Sequence, residues 1–183
     1  MSTLIILEGP DGAGKSTLAR KLYRAMGPRT KYFHHGPYHG VAEDKLAIEY
    51  LSSIEDALAD DRDVILDRSW ISEKVYGIAY RCGLNRMAEW QEPVEYIIKN
   101  VSYMKTLIVF CLPPWETVRA NFEARVAEEY LSGLGPLRVV YDAYATGGLT
   151  SLPNISIDPF QTDGGDVAEN VLLAVEKLNV NVR

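Results

Sequence analysis

Gly9-Pro10-Asp11-Gly12-Ala13-Gly14-Lys15-Ser16 fits G-x-x-x-x-G-K-[ST] and follows the apolar run Thr3-Leu4-Ile5-Ile6-Leu7, so the chain opens as strand, glycine loop and helix. That order makes a nucleoside-triphosphate site. A strand end fixes the loop, the small residues Gly12, Ala13 and Gly14 let backbone N–H groups close on phosphate oxygens, and the helix N-terminus adds positive potential. Lys15 then spans the β and γ phosphates. Ser16 offers its hydroxyl to Mg²⁺, a hard cation that takes oxygen ligands, and Thr17 supports the first helical turn.

The chain has 183 residues, 47% apolar and 24% charged, enough for one substantial core and too little for two ordinary domains. A single domain over 1–183 is expected. The formal charge of −6 argues against non-specific nucleic-acid binding, although a phosphate site needs few local cations. Cys82 and Cys111 lack metal-ligand spacing, and Cys111 lies inside the apolar run Leu107-Ile108-Val109-Phe110-Cys111-Leu112, which reads as a buried thiol. The sequence has no apolar segment long enough to span a membrane and no charged leader, so a cytoplasmic protein is expected.

Short β-branched or aromatic runs near 3–8, 31–35, 63–67, 106–112 and 155–158 alternate with helical patterns. The expected class is α/β, a five-stranded parallel sheet covered by helices on both faces. Leu46, Tyr50, Ile54 and Leu58 recur at i+4 and read as the core-facing stripe of one helix. Further helices are expected near 15–26, 71–82, 93–103, 114–130, 137–146 and 165–178, with Pro93 and Pro114 at helix starts, where a missing N–H costs nothing. In such sheets ligands bind beyond the carboxyl ends of the strands. Val64-Ile65-Leu66 runs into Asp67-Arg68-Ser69 at such an end. Asp67 is placed to hold a Mg²⁺-bound water or accept a proton, and Arg68 to clamp a phosphate with its donor fork.

The combination of Glu8-Gly9-Pro10-Asp11-Gly12-Ala13-Gly14-Lys15-Ser16-Thr17, then Asp67-Arg68, then Ser72 and Tyr76, resembles the thymidylate kinase family within the P-loop nucleoside and nucleotide kinases. The resemblance spans most of the chain and takes in Pro113-Pro114-Trp115-Glu116 and Ile155 to Asp158. It implies a three-layer P-loop kinase fold with a short lid, ATP and Mg²⁺ as cofactors, and transfer of the γ-phosphoryl group to a deoxynucleoside monophosphate such as dTMP. Carried over by position, Asp11 would touch the acceptor sugar hydroxyl, Arg68 the acceptor phosphate, and Ser72 and Tyr76 the acceptor base or sugar. Because Gly12 follows Asp11, the cation on the transferred group would come from the lid, near 119–136. Its candidates are Arg125, for the transferred phosphoryl, and Arg119, for the donor side. On an unbroken helix these two lie about 240° apart and share no face.

The chain departs from that family where the acceptor is read. After the second strand it has His34-His35-Gly36-Pro37-Tyr38-His39-Gly40 in place of Arg-Glu-Pro-Gly-Gly-Thr, and Gly77 where a glutamine is expected. His34, His35 and His39 read as an acceptor contact or a polar loop ahead of a zinc site, for which their spacing is poor. Trp70 reads equally as a wall of the acceptor cavity or as core, while Trp90 and Trp115 read as packing. A nucleoside or modified-base hydroxyl is the alternative acceptor, with Asp67 then a true general base. A GTPase-type switch is disfavoured: there is no Asn-Lys-x-Asp, and the third strand ends in Asp67-Arg68 rather than Asp-x-x-Gly. The expected partner is a small nucleotide or nucleoside, with a homodimer the one macromolecular association kept open.

Overall fold

Twelve elements follow one another along the chain in the computed structural model, which describes residues 2–36, 38, 41–100, 103–125, 133–161 and 165–178. They are β1 (Thr3–Glu8), α1 (Lys15–Met26), β2 (Thr30–His34), α2 (Glu43–Ala59), β3 (Asp63–Asp67), α3 (Trp70–Tyr80), α4 (Gln91–Asn100), β4 (Lys105–Cys111), α5 (Trp115–Glu123), α6 (Leu134–Thr146), β5 (Asn154–Ile157) and α7 (Val167–Glu176). The strands form one parallel sheet in the order β2-β3-β1-β4-β5. Leu4, Ile5, Ile6 and Leu7 of the central strand are fully buried, as expected where helices cover both faces of a parallel sheet.

Side chains alternate across each strand, so the three inner strands β3, β1 and β4 feed two cores. Leu4, Ile6, Leu66 and Ile108 face one side and pack with Tyr50 of α2, Val75 of α3, Val94 of α4 and Tyr144 of α6. Ile5, Leu7, Ile65 and Val109 face the other and pack with Leu18 of α1, Phe122 of α5 and Val171 of α7. The result is the three-layer α/β arrangement expected from the alternation of patterns. Cys111 is buried in the second core, and burial pushes its thiol up to about 12. Trp70 is fully buried in the first core and donates its indole N–H to Glu95 Oε1 at 3.2 Å, which settles the two readings in favour of core.

The strands lie within one residue of their expected bounds. The expected 114–130 helix needs correction: α5 stops at Glu123, with Ala124 at its C-terminal cap, and residues 126–132 lie outside the described residues. At two other helix starts the chain turns helical ahead of a proline, placing Pro93 and Pro136 inside the first turn of α4 and α6, where N–H groups have no intrahelical partner anyway. Leu46, Tyr50 and Ile54 of the α2 stripe are buried as expected, while the Leu58 side chain lies outside the described set. Among the described residues no helix is long and apolar enough to cross a membrane.

Candidate active site

The carboxyl ends of β1 and β3 are neighbours in register, Leu7 opposite Asp67, which brings the glycine loop against Asp67-Arg68. Two loop glycines are required by space as well as by backbone angle. Gly12 has φ +80°, and a Cβ there would come within 2.9 Å of the Val118 carbonyl oxygen; Gly14 has φ +86°, and its Cβ would lie 2.8 Å from the Phe160 ring. The loop is thus gripped between α5 and the segment after β5. Gly14 also starts α1 without a side-chain cap, so backbone donors at this end are left for a ligand. Lys15 donates to the carbonyls of Gly9, at 2.9 Å, and Pro10, at 2.7 Å. Its burial and the nearby Arg68 cation hold its ammonium below the usual lysine range.

Asp67 is fully buried, and one of its carboxylate oxygens, Oδ2, accepts from Ser16 Oγ at 3.0 Å and Tyr32 OH at 3.0 Å, with His34 Nδ1 at 3.3 Å. Burial alone raises a carboxyl's pKa, but the His34 hydrogen bond and the Lys15 and Arg68 cations outweigh it and leave Asp67 well below the usual carboxylate range. Its Oδ1 is buried with no hydrogen-bond partner among the described residues. An orphaned carboxylate oxygen beside a serine hydroxyl and facing a phosphate loop is a fitting donor set for Mg²⁺.

Arg68 has φ +78°, a left-handed conformation uncommon outside glycine, held by its N–H donating to the Leu7 carbonyl at 2.9 Å. This bend turns the guanidinium back over the loop. It pairs with Asp11, donates to the Gly9 carbonyl at 3.3 Å and lies 4.9 Å from the centre of the Tyr76 ring, whose hydroxyl donates to Asp11 Oδ2 at 3.0 Å. Burial raises the Asp11 carboxyl, but the Arg68 and Lys15 cations more than offset this and lower its pKa.

Glu8, quoted in the sequence only as part of the loop motif, anchors this arrangement. It is fully buried, and its carboxylate accepts from Ser69 N at 2.7 Å, Ser69 Oγ at 2.7 Å, Ser72 Oγ at 2.8 Å and Tyr144 OH at 2.7 Å. It therefore ties the end of β1 to the start of α3 and to α6, immediately beside the strained Arg68. Ser72 lines the cavity but spends its hydroxyl on Glu8. A carboxylate ending an otherwise apolar strand was the available signal.

These groups open on a cavity of about 670 Å³. Gly12, Gly14, Lys15, Ser16 and Thr17 line its loop end, with Arg125 and Phe160; Asp11, Asp67, Arg68, Ser72 and Tyr76 line its middle. Ala13 is buried in the second core, its N–H on the Pro10 carbonyl at 3.3 Å. Because α5 ends before it, Arg125 is released from the helical spacing that separated it from Arg119. Arg119 is not among the lining residues and pairs instead along α5 with Glu116, at 3.3 Å, and Glu123, at 3.7 Å.

The cavity is also lined by His35, Tyr38, Tyr50 and Tyr80 and by the ion cluster of Glu73, Arg81 and Arg86, of which the sequence reading singled out only His35 for a site role and placed Tyr50 in the core. Tyr50 does both, buried in the first core while lining the cavity. His35 Nδ1 lies 2.6 Å from the Tyr38 hydroxyl, and burial together with neighbouring His34 lowers its pKa to about 4. His39 lies outside the described residues, and among those described there is no cluster of three or more metal-ligating side chains. Gly77 also has a structural reason: a Cβ there would fall 2.2 Å from the Leu84 carbonyl oxygen, so the glutamine of the resembling family does not fit.

No family model and no curated protein matches the sequence. Solved structures do. The YorR protein of Bacillus subtilis, in complex with phosphorylated GDP, is 24% identical over 95% of this chain and 96% of that one, with a TM-score of 0.71. The fold is that of the P-loop kinases. Deoxyadenosine kinase from M. mycoides with bound dCTP is 18% identical over 97% of this chain and 99% of that one, with a TM-score of 0.57. Its form with bound dATP is likewise 18% identical, with a TM-score of 0.56.

Proposed function

We propose that the protein is a nucleotide kinase transferring the γ-phosphoryl group of ATP to a (deoxy)nucleoside monophosphate, dTMP or a related deoxynucleotide first among them. The observation carrying this reading is that the glycine loop and the Asp67-Arg68 couple line one cavity, so donor and acceptor can meet in it. The likeness to a protein holding phosphorylated GDP and to a deoxyadenosine kinase supports nucleotide or nucleoside phosphorylation, the second of them by its name acting on a nucleoside, the acceptor of the alternative below. The unit is one kinase domain over 1–183, closing through the segment 119–136.

In this mechanism Lys15 leaves the Gly9 and Pro10 carbonyls to span the β and γ phosphates, while the amides from Gly12 to Thr17 cradle the chain of phosphates. Ser16 and Asp67 would hold Mg²⁺, which would supply neutralisation of charge on the triphosphate. Arg68 exchanges Asp11 for the acceptor phosphate, and Asp11 with Tyr76 is left to orient the sugar. An acceptor phosphate oxygen bonds to the γ phosphorus as its bond to the bridging oxygen breaks, releasing ADP. Arg125 supplies positive charge to the transferred group, and Arg119 would serve the donor side only by leaving Glu116 and Glu123.

The alternative, a nucleoside or modified-base hydroxyl as acceptor, draws on Arg68 being already engaged by Asp11. ADP release from Mg-ATP with dTMP, dCMP, dGMP, thymidine and deoxycytidine separates the two: turnover with a monophosphate is expected, and turnover with nucleosides alone would reverse the order. No ADP release with any of them would remove the kinase reading.

A further inference from the structure

Lys15 serves the carbonyls of Gly9 and Pro10 only until it turns to a triphosphate, but a third loop carbonyl has a partner with no charge for a phosphate to draw away. Asn121 of α5 donates its side-chain amide to the Gly12 carbonyl at 2.9 Å and lines the cavity. Its place is set by its neighbours on the helix. Val118 and Phe122 are buried in the second core, so Asn121 meets the loop from a packed surface. Gly12 lies flat against this same turn: a Cβ there would fall 2.9 Å from the Val118 carbonyl oxygen, 3.2 Å from Phe122 N and 3.3 Å from Asn121 Cβ.

A trans peptide is planar, so its carbonyl and the N–H that follows point opposite ways. With the Gly12 carbonyl turned to α5, the Ala13 N–H is turned back into the loop, where it reaches the Pro10 carbonyl at 3.3 Å. Glycine takes either sign of φ and gives little resistance to a reversal of this peptide. Gly12 stands at +80°, and reversal would set an oxygen where phosphate oxygens need a donor. On the reading of this loop as the donor-phosphate site, we infer that Asn121 is a positioning residue for it. Its amide holds the Gly12 carbonyl outward and keeps the loop's N–H groups on the phosphates after Lys15 has left the Gly9 and Pro10 carbonyls.

Calorimetry of the full chain with Mg-ATP, without acceptor, tests this apart from catalysis. Asn121→Leu removes the donor at similar size and should weaken binding about three- to tenfold, what one hydrogen bond is worth. Asn121→Asp keeps the shape, sets a carboxylate against the carbonyl, and should weaken it at least as much. In heteronuclear NMR of the free variants the Gly12, Ala13 and Gly14 amide signals should move, while those of α2 and α4, packed in the other core, stay in place. Mg-ATP binding within about twofold of the parent's in both variants, loop signals unmoved, or movement spread equally into α2 and α4 would overturn the inference. A parent chain with no affinity for Mg-ATP would remove it together with the proposed function. Weakened, loop-confined variants of a parent that releases no ADP with any acceptor would leave it standing while removing the kinase reading.

Discussion

On the proposed function, the donor end of the cavity draws mainly on one stretch of chain, 12–17, whereas the acceptor end gathers His35 from beyond β2, Tyr50 from α2, Glu73 and Tyr76 from α3, and Arg81 and Arg86 from beyond α3. The first works through main-chain amides and two glycines clamped by Val118 and Phe160; the second works through side chains held by one another. A backbone site depends on local conformation and tolerates few residue types. A side-chain site depends on convergence and can be respecified by changing a few positions. Between the two lies the Glu8 carboxylate, anchoring Ser69, Ser72 and Tyr144 to the strand that carries the loop.

If that division holds, the largest effect belongs to the loop. Lys15→Ala should lower kcat by about 10²–10³-fold or more while cooperative unfolding persists, as read by initial rates and urea melts. Unchanged turnover would break the donor half of the comparison. Next comes the anchor: Glu8→Gln keeps the shape but sets an amide against hydroxyl and N–H donors, so urea denaturation should show about 2–4 kcal/mol lost, and kcat should fall more than the donor KM rises as Arg68 loses its support.

A third effect tests the acceptor wall through pH. Unfolded, the His35 imidazole takes up its proton near pH 6.5, but folded only near 4, so the unfolded state binds more protons in between and stability must fall as pH drops through that window. The ceiling is roughly 3 kcal/mol, from the size of the shift. Asp67 and Asp11, whose pKa values are depressed, lose their contribution only at lower pH, below the ordinary carboxylate value of 3.8. Urea melts at pH 7 and 4.5 should therefore show a smaller loss in His35→Phe than in the parent chain. The smallest effect sharpens specificity: Arg68→Ala should raise KM for a phosphorylated acceptor about tenfold, with less change for its nucleoside. Equal losses for both would remove Arg68 from the phosphate.

The strand-loop-helix opening, the five strands and the Asp67-Arg68 couple were all legible in the sequence, because each is written in adjacent residues with a fixed period or spacing. The end of α5 was not: Arg119 to Arg125 continues a helical pattern, and only the structure places Arg125 beyond Glu123, among the residues lining the cavity. Nor was the far wall. Arg81, inside the expected 71–82 helix, and Arg86 were given no role from the sequence; the structure sets Glu73 between them and the Tyr38 carbonyl beside Arg86. Gly77, a mere departure from a family pattern in the sequence, has its cause in the Leu84 carbonyl above it.

By itself, the sequence determined that this chain builds a glycine loop between a buried parallel strand and a helix, since amide geometry and glycine's freedom act over a few neighbouring residues. What stands opposite that loop was decided by tertiary structure alone. Sheet order sets Asp67 beside the loop, burial removes the water that would otherwise satisfy Glu8 and Glu73, and packing gives Glu8 partners distant in the chain.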